Sequence, residues 1–446
     1  MSNTTVQILT AEDFPPAVSP IWENLEGDEQ MREAATLAAI IAYCGLTQRL
    51  RVRYAYDNPD KLTMLLLNLL VIGHSGIGKG IIRDVLTMIL KDLIELDKKD
   101  RRKLQEYSEL PKKEKDKTPE PKVVIRFLQS FTLPVAVKYA DFAYRRYGDW
   151  LPFFLYGDEL GAFVKNRRNN DDFQAVARNA YDIGMTYQKD TLYKDGYNAA
   201  VDINWNSVLC GQELALRKYI TEEGVVLGDA NRHILIKLSN RLGEVPASMR
   251  QLSEEQKQVI STTCARLMAE TYTADDQLMP VHVVNMDWMD ETVFGWCDQI
   301  RDTVTKSGSN AMDSFYIRAS KSAHRIATML YHLWGEDNPE QLGISVTQEE
   351  VRDKVRRCYL YYAQLILDSG MAQWGKTYET CLPKDDETPV QKQTLYDMMP
   401  KRFTRNQLRD KVEKEGLGTK PRSFIFKWLK KKLIYEVKPD VYEKLY

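Results

Sequence analysis

The sequence of 446 residues lacks several features that would assign it to a particular class of protein. Its longest apolar stretch, at 62–72, is interrupted by Asn68 and is too short to cross a bilayer, so we expect no membrane association. The first residues, MSNTTVQILTAEDFPP, have neither a basic start nor an apolar core, and we therefore expect no export signal. The six cysteines include no Cys-x-x-Cys pair, which argues against a disulfide framework or a zinc site built on cysteine. Together these absences favour a cytoplasmic protein with reduced thiols.

Charge is distributed unevenly, although the formal net charge of the chain is only −1. Residues 394–446 contain 14 Lys and Arg against 7 Asp and Glu, whereas residues 1–393 contain 48 against 56. A basic C-terminal segment on an acidic body is typical of a nucleic-acid-binding appendage, although surface solubility alone produces the same pattern. The sequence therefore indicates DNA as a candidate partner of the C-terminal segment.

The most informative segment is 62–90, LTMLLLNLLVIGHSGIGKGIIRDVLTMIL, in which an apolar run ends in a glycine-rich turn and an amphipathic helix follows. The backbone N–H groups of such a turn and the N-terminus of the next helix bind phosphate, and a lysine reaches the β- and γ-phosphates. The residues predicted to bind ATP are Gly73, His74, Ser75, Gly76, Gly78, Lys79 and Gly80. The turn matches G-x-x-x-x-G-K-[ST] except at its last position, where Gly80 replaces the hydroxyl that normally binds magnesium. ATP binding is therefore predicted, and efficient hydrolysis is left open.

Two adjacent carboxylates follow a second apolar run, WLPFFLYGDELGAFV. Ligands of parallel α/β sheets bind at the carboxyl ends of the strands, so we expect these carboxylates beside the glycine-rich turn. We predict that Asp158 holds Mg²⁺ and that Glu159 polarises the attacking water. A helix N-terminus favours the same residue types, and this is the structural alternative.

Two further residues are predicted to act on the γ-phosphate. Gln212, which ends the run VDINWNSVLCGQ, is the candidate sensor of that phosphate, with Asn206 and Ser207 as rivals. Arg232 follows a glycine-containing loop and is predicted to serve as an arginine finger that reaches the nucleotide of a neighbouring subunit. A structural role is the alternative for each of them.

Alternating strands and helices around the glycine-rich turn predict an α/β core with a mostly parallel sheet. The predicted segments are an N-terminal helix and strand (1–60), a P-loop ATPase core (61–249), a helical region (250–385) and a winged helix-turn-helix (390–446). The charged stretch at 97–122 is predicted to extend a helix and then to form a mobile surface insertion in the core.

The C-terminal segment has the order helix, helix, turn, helix and two short strands, which is typical of a winged helix-turn-helix. The residues predicted to pack inward are Phe424, Ile425, Trp428 and Leu429. The residues expected to face DNA are Lys420, Arg422, Ser423 and Lys427. Winged helices also dock proteins, and this remains the alternative.

A second candidate DNA contact is the hairpin YQKDTLYKDGY at 187–197. It combines Lys189 and Lys194 with tyrosines, a mixture that permits phosphate contact together with base stacking. A purely structural hairpin is the alternative.

In order along the chain, REAATLAAIIAYCGL, RLRVRY, NLLVIGHSGIGKG, FTLPVA, FLYGDELGAF, VLCGQELALR, ANRHILI and SAHRIATMLYHLWG resemble a family of helicase-like P-loop ATPases. Its members occur on plasmids, phages and integrated elements, often linked to primase modules, and the resemblance covers about residues 10–375. It implies an ATPase core related to hexameric replicative helicases, with Lys79, Asp158 and Glu159 in the roles above and Arg232 at the family's conspicuous arginine. Gly80 departs from the Ser or Thr expected there, and no primase motif is visible.

The resulting hypothesis is an ATP- and Mg²⁺-binding, helicase-like motor or replication protein of a mobile genetic element. It would act on single-stranded or duplex DNA as a homo-oligomer, with a hexameric ring as the candidate assembly and a primase or replication protein as a candidate partner. The alternative is a nucleotide-gated DNA-binding initiator, loader or scaffold with little or no hydrolysis. Gly80 favours the alternative, whereas the pair Asp158 and Glu159 favours the motor.

Overall fold

The computed structural model describes residues 8–129, 132–163, 172–182, 186–189, 199–239, 247–381, 395–414, 421–430 and 433–445. The chain divides into two compact units, Met1–Cys381 and Leu382–Tyr446. Lys194 and Lys420 lie outside the described residues, as does the part of the predicted hairpin from residue 190 to residue 197.

A five-stranded sheet forms the centre of the first unit. In order across this central sheet the strands are Ile234–Lys237, Asn68–Ile72 (the turn strand), Trp205–Gly211 (the middle strand), Phe153–Gly157 (the acid strand) and Phe127–Leu128. All four pairings are parallel, which confirms the predicted α/β class and parallel sheet. The turn, middle and acid strands are buried along their whole length, as expected for strands covered on both faces.

Helices surround the central sheet and continue beyond it in sequence. The α-helices described in the first unit are Ser19–Glu23, Glu29–Leu46, Gly80–Ile89, Lys91–Glu109, Lys112–Lys115, Leu133–Tyr147, Asp172–Asn179, Glu213–Tyr219, Glu222–Val226, Glu254–Ala269, Asp290–Ser307, Asn310–Leu333, Gln348–Gly370 and Lys376–Cys381. Residues of the sheet and of the helices after 250 belong to one hydrophobic core. The sheet and the C-terminal helices of this unit therefore stabilise each other.

Three small sheets complete the first unit in the described residues. Leu25–Glu26 pairs with Ser248–Met249, and Thr186–Lys189 pairs antiparallel with Ala199–Asp202. The sequence analysis predicted a hairpin at 187–197, but the second strand of this pairing, Ala199–Asp202, lies beyond that range, and residues 190–198 lie outside the described residues. A strand that the sequence analysis missed, His282–Val284, pairs in parallel with Leu50–Arg53 inside the region expected to be almost wholly helical.

The charged stretch at 97–122 is attached to the core more firmly than its composition indicates. The helix Lys91–Glu109 runs through its first half, and two of its carboxylates are buried. Asp97 Oδ2 accepts hydrogen bonds from the backbone N–H groups of Arg126 (2.8 Å) and Phe127 (2.6 Å), and Asp100 Oδ2 accepts one from Val124 (2.9 Å). These bonds fix the segment that leads into the edge strand Phe127–Leu128.

The second unit combines helices with a small antiparallel sheet. Its described elements are the helices Leu395–Met398, Arg405–Lys414 and Pro421–Lys430 and the strands Arg402–Thr404, Ile434–Lys438 and Val441–Lys444. Thr404 and Gln407 form a reciprocal cap at the start of the second helix. The strand Arg402–Thr404 was not predicted. Ile425 and Trp428 are buried as predicted, but Leu429 is 38% exposed, so its predicted inward position was wrong.

The six cysteines are free thiols, five of them buried and one exposed. Among the helices in the part of the chain that the structure describes, none has the length and apolar character needed to cross a bilayer.

A buried carboxylate, Glu33, lies within the long helix Glu29–Leu46. Its side chain accepts a hydrogen bond from the Tyr361 hydroxyl, and only 6% of the residue is exposed. Burial raises the pKa of Glu33 to about 7 from an ordinary value of 4.5, and the nearby carboxylates of Glu29 and Asp28 act in the same direction. The fold therefore favours the protonated form. The stabilisation is complete below about pH 4.5 and is lost as the pH rises through about 7.

We predict that Glu33→Gln raises the free energy of unfolding at about pH 8 by on the order of 2 kcal/mol, because the amide needs no ionisation. The gain should shrink towards zero as the pH falls to about 4.5. Urea unfolding of both proteins across this pH range measures the difference. Glu23→Gln, at an exposed carboxylate near the same helix, is the matched control. A gain that does not depend on pH would contradict the assignment.

Candidate functional site

The glycine-rich turn begins directly after the turn strand. Gly76 and Gly78 have φ values of +82° and +91°, which side chains with a Cβ adopt only at a cost. An added Cβ at Gly76 would meet nothing within 4 Å, so the space beside this residue is open. The helix Gly80–Ile89 starts at the end of the turn and directs its N-terminus into the same space. The backbone N–H groups at this helix N-terminus, the positive end of the helix dipole and the open space beside the turn are together suited to bind a phosphate group.

Lys79 is held by the backbone at the base of this turn. Its Nζ donates hydrogen bonds to the carbonyl oxygens of Gly73 (2.6 Å), Gly211 (3.0 Å) and His74 (3.3 Å). Burial lowers the pKa of Lys79, and the Glu159 carboxylate opposes that effect. The ammonium group is thus positioned between the turn strand and the middle strand.

The predicted carboxylates lie at the same edge of the central sheet, as the sequence analysis expected. Asp158 and Glu159 follow the acid strand directly and are exposed. The middle strand lies between the acid strand and the turn strand, so three successive carboxyl ends form this edge. Asp158 Oδ1 accepts a hydrogen bond from the Tyr156 hydroxyl, whose pKa is raised by burial and by this bond.

These residues surround one open cavity of about 720 Å³. It is lined by Ser75, Gly76, Gly78, Lys79, Gly80, Asp158, Glu159, Leu160, Gly161, Gly211, Gln212, Leu214, Ala215 and Lys218. Eight of the predicted ATP-site and catalytic residues are therefore brought together, whereas Gly73 and His74 contribute through their carbonyl contacts with Lys79. A mixture of backbone donors, one ammonium and two carboxylates can hold a polyanion together with a divalent cation.

Position 80 is sterically open. The only neighbour of an added Cβ there is Nη2 of Arg83, at 3.9 Å. The guanidinium group of Arg83 also approaches Asp158, with Nη1 at 4.0 Å from Oδ2. A positive side chain therefore lies beside the carboxylate predicted to hold magnesium, on the side where the usual hydroxyl is missing.

The structure distinguishes the three sensor candidates by where their side chains lie. Gln212 lines the cavity and is exposed. Asn206 and Ser207 are buried in the sheet, where the Asn206 Oδ1 accepts from Leu67 N–H (2.8 Å) and the Ser207 hydroxyl donates to Asn68 Oδ1 (2.7 Å). Their side chains stabilise strand pairing, which leaves Gln212 as the candidate sensor.

Arg232 is outside the cavity lining. It donates from Nη1 to the Gly228 carbonyl (2.7 Å), and its Nη2 lies 3.9 Å from Asp182 Oδ2, with 16% of its side chain exposed. Burial lowers the pKa of Arg232, and the nearby charge of Arg318 adds to the effect. In the single chain Arg232 is an interior ion-pair residue, and its role as an arginine finger stays a prediction.

The sequence analysis missed Lys218, Arg83 and Tyr156. Lys218 lies six residues after Gln212, on the face of the helix Glu213–Tyr219 that includes Leu214 and Ala215. Arg83 follows Gly80 by three residues, a helical spacing that was available in the sequence. Tyr156 precedes Asp158 by two residues, and strand alternation places both on one side.

The predicted DNA-contacting residues are described only in part. The backbone of Lys189 lies in the strand Thr186–Lys189, and Arg422 is exposed in the first turn of Pro421–Lys430. The side chains of Ser423, Lys427 and Lys189 lie outside the described residues.

In comparisons with known proteins, no family model matches this chain and no curated protein matches it.

Gly157 and Gly161 flank Asp158 and Glu159 in sequence and provide a matched test of the packing around these carboxylates. An added Cβ at Gly157 would lie 2.5 Å from Phe163 and 3.2 Å from Leu209, whereas at Gly161 it would meet nothing within 4 Å. We predict that Gly157→Ala lowers the free energy of unfolding by about 1–3 kcal/mol through overpacking, and that Gly161→Ala leaves it nearly unchanged. Thermal unfolding of the two variants checks this. Equal stability would contradict the close packing behind Asp158.

Proposed function

We propose that the first unit binds ATP with Mg²⁺ in the cavity and hydrolyses it, as a P-loop ATPase. The observation that carries the proposal is the convergence of Lys79, Asp158 and Glu159 on one cavity with three glycines of the turn. The open cavity beside the glycine-rich turn fits a triphosphate, and the carboxylates fit a divalent cation.

In the proposed mechanism the residues of the cavity act on the phosphates, the metal ion and the attacking water. The amides of the glycine-rich turn bind the β- and γ-phosphates, and Lys79 exchanges its carbonyl contacts for a phosphate oxygen. Asp158 would hold Mg²⁺, which neutralises phosphate charge when it is bound. Glu159 accepts the proton of the attacking water, and Gln212 orients that water or the γ-phosphate.

We further propose that ATP turnover drives a helicase-like motor of a mobile genetic element acting on DNA. The supporting arguments are the resemblance in the order of segments and the basic composition of residues 394–446. The proposed winged helix is the second unit, whose two consecutive helices and antiparallel strands have the appropriate order and whose Arg422 is exposed. Assembly into a ring would bring Arg232 of one subunit to the ATP of another.

A second function is favoured by one observation at position 80. The hydroxyl that would bind magnesium is replaced by Gly80, and the guanidinium of Arg83 stands 4.0 Å from Asp158. A guanidinium beside Asp158 competes with a metal ion for that carboxylate and would weaken magnesium binding, on which rapid phosphoryl transfer depends. The chain would then be a nucleotide-gated DNA-binding initiator, loader or scaffold that hydrolyses ATP slowly.

We predict that Lys79→Ala lowers ATP turnover by about 100-fold or more, because a charge contact to the transferred phosphate is lost. Glu159→Gln should lower turnover by about 100-fold or more and preserve ATP binding, because the amide cannot accept the proton. Steady-state turnover with and without single-stranded DNA, together with fluorescent-nucleotide binding, measures both effects.

Lys113→Ala is the matched control, since Lys113 is an exposed lysine in the charged stretch. Turnover stimulated by DNA and abolished by both site changes supports the motor. ATP binding without ATP turnover in the unmodified protein supports the nucleotide-gated initiator, loader or scaffold. Unchanged ATP binding and turnover in Lys79→Ala would overturn the ATP site itself.

We predict that Gly80→Ser raises magnesium-dependent turnover by about 10-fold, because the hydroxyl supplies a missing ligand in sterically open space. Gly80→Ala is the control, since it adds the same Cβ without the oxygen. An equal change in both variants, or no gain in Gly80→Ser, would mean that the missing hydroxyl does not limit hydrolysis. Turnover is compared across a magnesium titration.

A further inference from the structure

A second cluster of chemically active side chains lies in the first unit and shares no residue with the cavity. His282 begins the short strand His282–Val284, which pairs with the strand Leu50–Arg53. His332 lies in the last turn of the helix Asn310–Leu333, and Glu336 follows shortly after it. Two of the five histidines of the chain are thus brought to one carboxylate.

The ligand atoms of these three residues face one another. Glu336 Oε1 lies 2.6 Å from His282 Nε2 and 2.7 Å from His332 Nδ1. One nitrogen of each histidine and one carboxylate oxygen all lie within 4.8 Å of one another. The backbone of Glu336 has a φ of +57°, which is unfavourable for a residue with a Cβ, so its position is fixed by the surrounding fold.

A further carboxylate orients the buried histidine. Glu270, at the end of the helix Glu254–Ala269, places its Oε2 at 2.7 Å from His332 Nε2. Glu270 is itself held by Arg266 at 2.7 Å. A hydrogen on Nε2 that is donated to Glu270 leaves the lone pair of Nδ1 directed at His282 and Glu336. Histidine ligands of metal ions are oriented by carboxylates in this way.

We propose that His282, His332 and Glu336 bind a zinc ion, with Glu270 as the residue that orients His332. Two imidazole nitrogens and one carboxylate oxygen form a ligand set typical of zinc. Zinc ligands stand roughly 3.3 Å apart when their bonds are about 2.0–2.1 Å long, so the contacts of Glu336 with His282 and His332, at 2.6 and 2.7 Å, must each lengthen by under about 1 Å. His282 can make this movement because half of its side chain is exposed. The same exposure admits a solvent molecule as the fourth ligand.

The ion would connect elements that are distant in sequence. His282 and Glu336 are 54 residues apart, and His332 and Glu270 are 62 apart. A ligand that binds only the folded arrangement stabilises the fold by mass action. The site would therefore join the small sheet that contains His282 to the end of the helix Asn310–Leu333.

The test uses the full-length protein without a histidine tag, in a Cys381→Ser background that removes the exposed thiol. After treatment with a chelator, Zn²⁺ alone is titrated by calorimetry and against a chromophoric competitor, and thermal unfolding is followed with and without it. We expect one zinc per chain and a higher melting temperature. His282→Ala and Glu336→Gln should weaken binding at least tenfold, and Glu270→Gln should weaken it by about 10–100-fold.

Glu340→Gln, at an exposed carboxylate just beyond the cluster, is the matched control and should bind as the parent does. Replacement by Co²⁺ gives visible absorption bands that report nitrogen and oxygen ligands, and His282→Ala should remove them. Absence of binding in the parent protein overturns the proposal, as does equal affinity in His282→Ala and the parent. In either case the cluster is a set of ion pairs between histidine and glutamate side chains that holds no metal ion. No nucleotide enters this assay, so its failure leaves the proposed ATP site untouched.

Discussion

The parallel pairing of the turn strand with the middle strand is the interaction on which the candidate ATP site depends. The Gly211 carbonyl, at the end of the middle strand, accepts hydrogen bonds from the Gly73 backbone N–H (3.0 Å) and from the Lys79 ammonium (3.0 Å). One carbonyl oxygen thus fixes both the start of the glycine-rich turn and the position of its lysine. A slip in register would separate them, because adjacent residues of a strand face opposite sides.

The helices after residue 250 support this pairing from the other end of the turn strand. Arg325 is almost completely buried, donates to the Leu66 carbonyl (2.7 Å) and the Tyr181 carbonyl (3.1 Å), and stacks on the Tyr181 ring. A buried guanidinium with such partners is costly to disturb. The helical region is therefore part of the structural support of the cavity, which explains why residues on both sides of 250 share one hydrophobic core.

The two proposed sites differ in what holds them. The candidate ATP cavity is formed at the carboxyl edge of one sheet by the glycine-rich turn and by side chains that directly follow the strands, so its chemistry follows from local turn geometry and from strand order. The His282, His332 and Glu336 cluster is formed by side chains from separate elements that meet only in the folded chain. Periodicity and spacing in the sequence give no sign of the second kind of site.

The sequence by itself determined the α/β class, the glycine-rich turn between strand and helix, and the strand that ends at Asp158, because these depend on local periodicity and on glycine. It did not separate Gln212 from Asn206 and Ser207, since all three are polar residues of the one run VDINWNSVLCGQ. Only the tertiary structure decided that Gln212 faces the cavity, that Arg83 approaches Asp158, and that Arg232 lies among interior charges. These are contacts between elements distant in the chain, and their geometry is set by packing and strand order, which local sequence patterns do not encode.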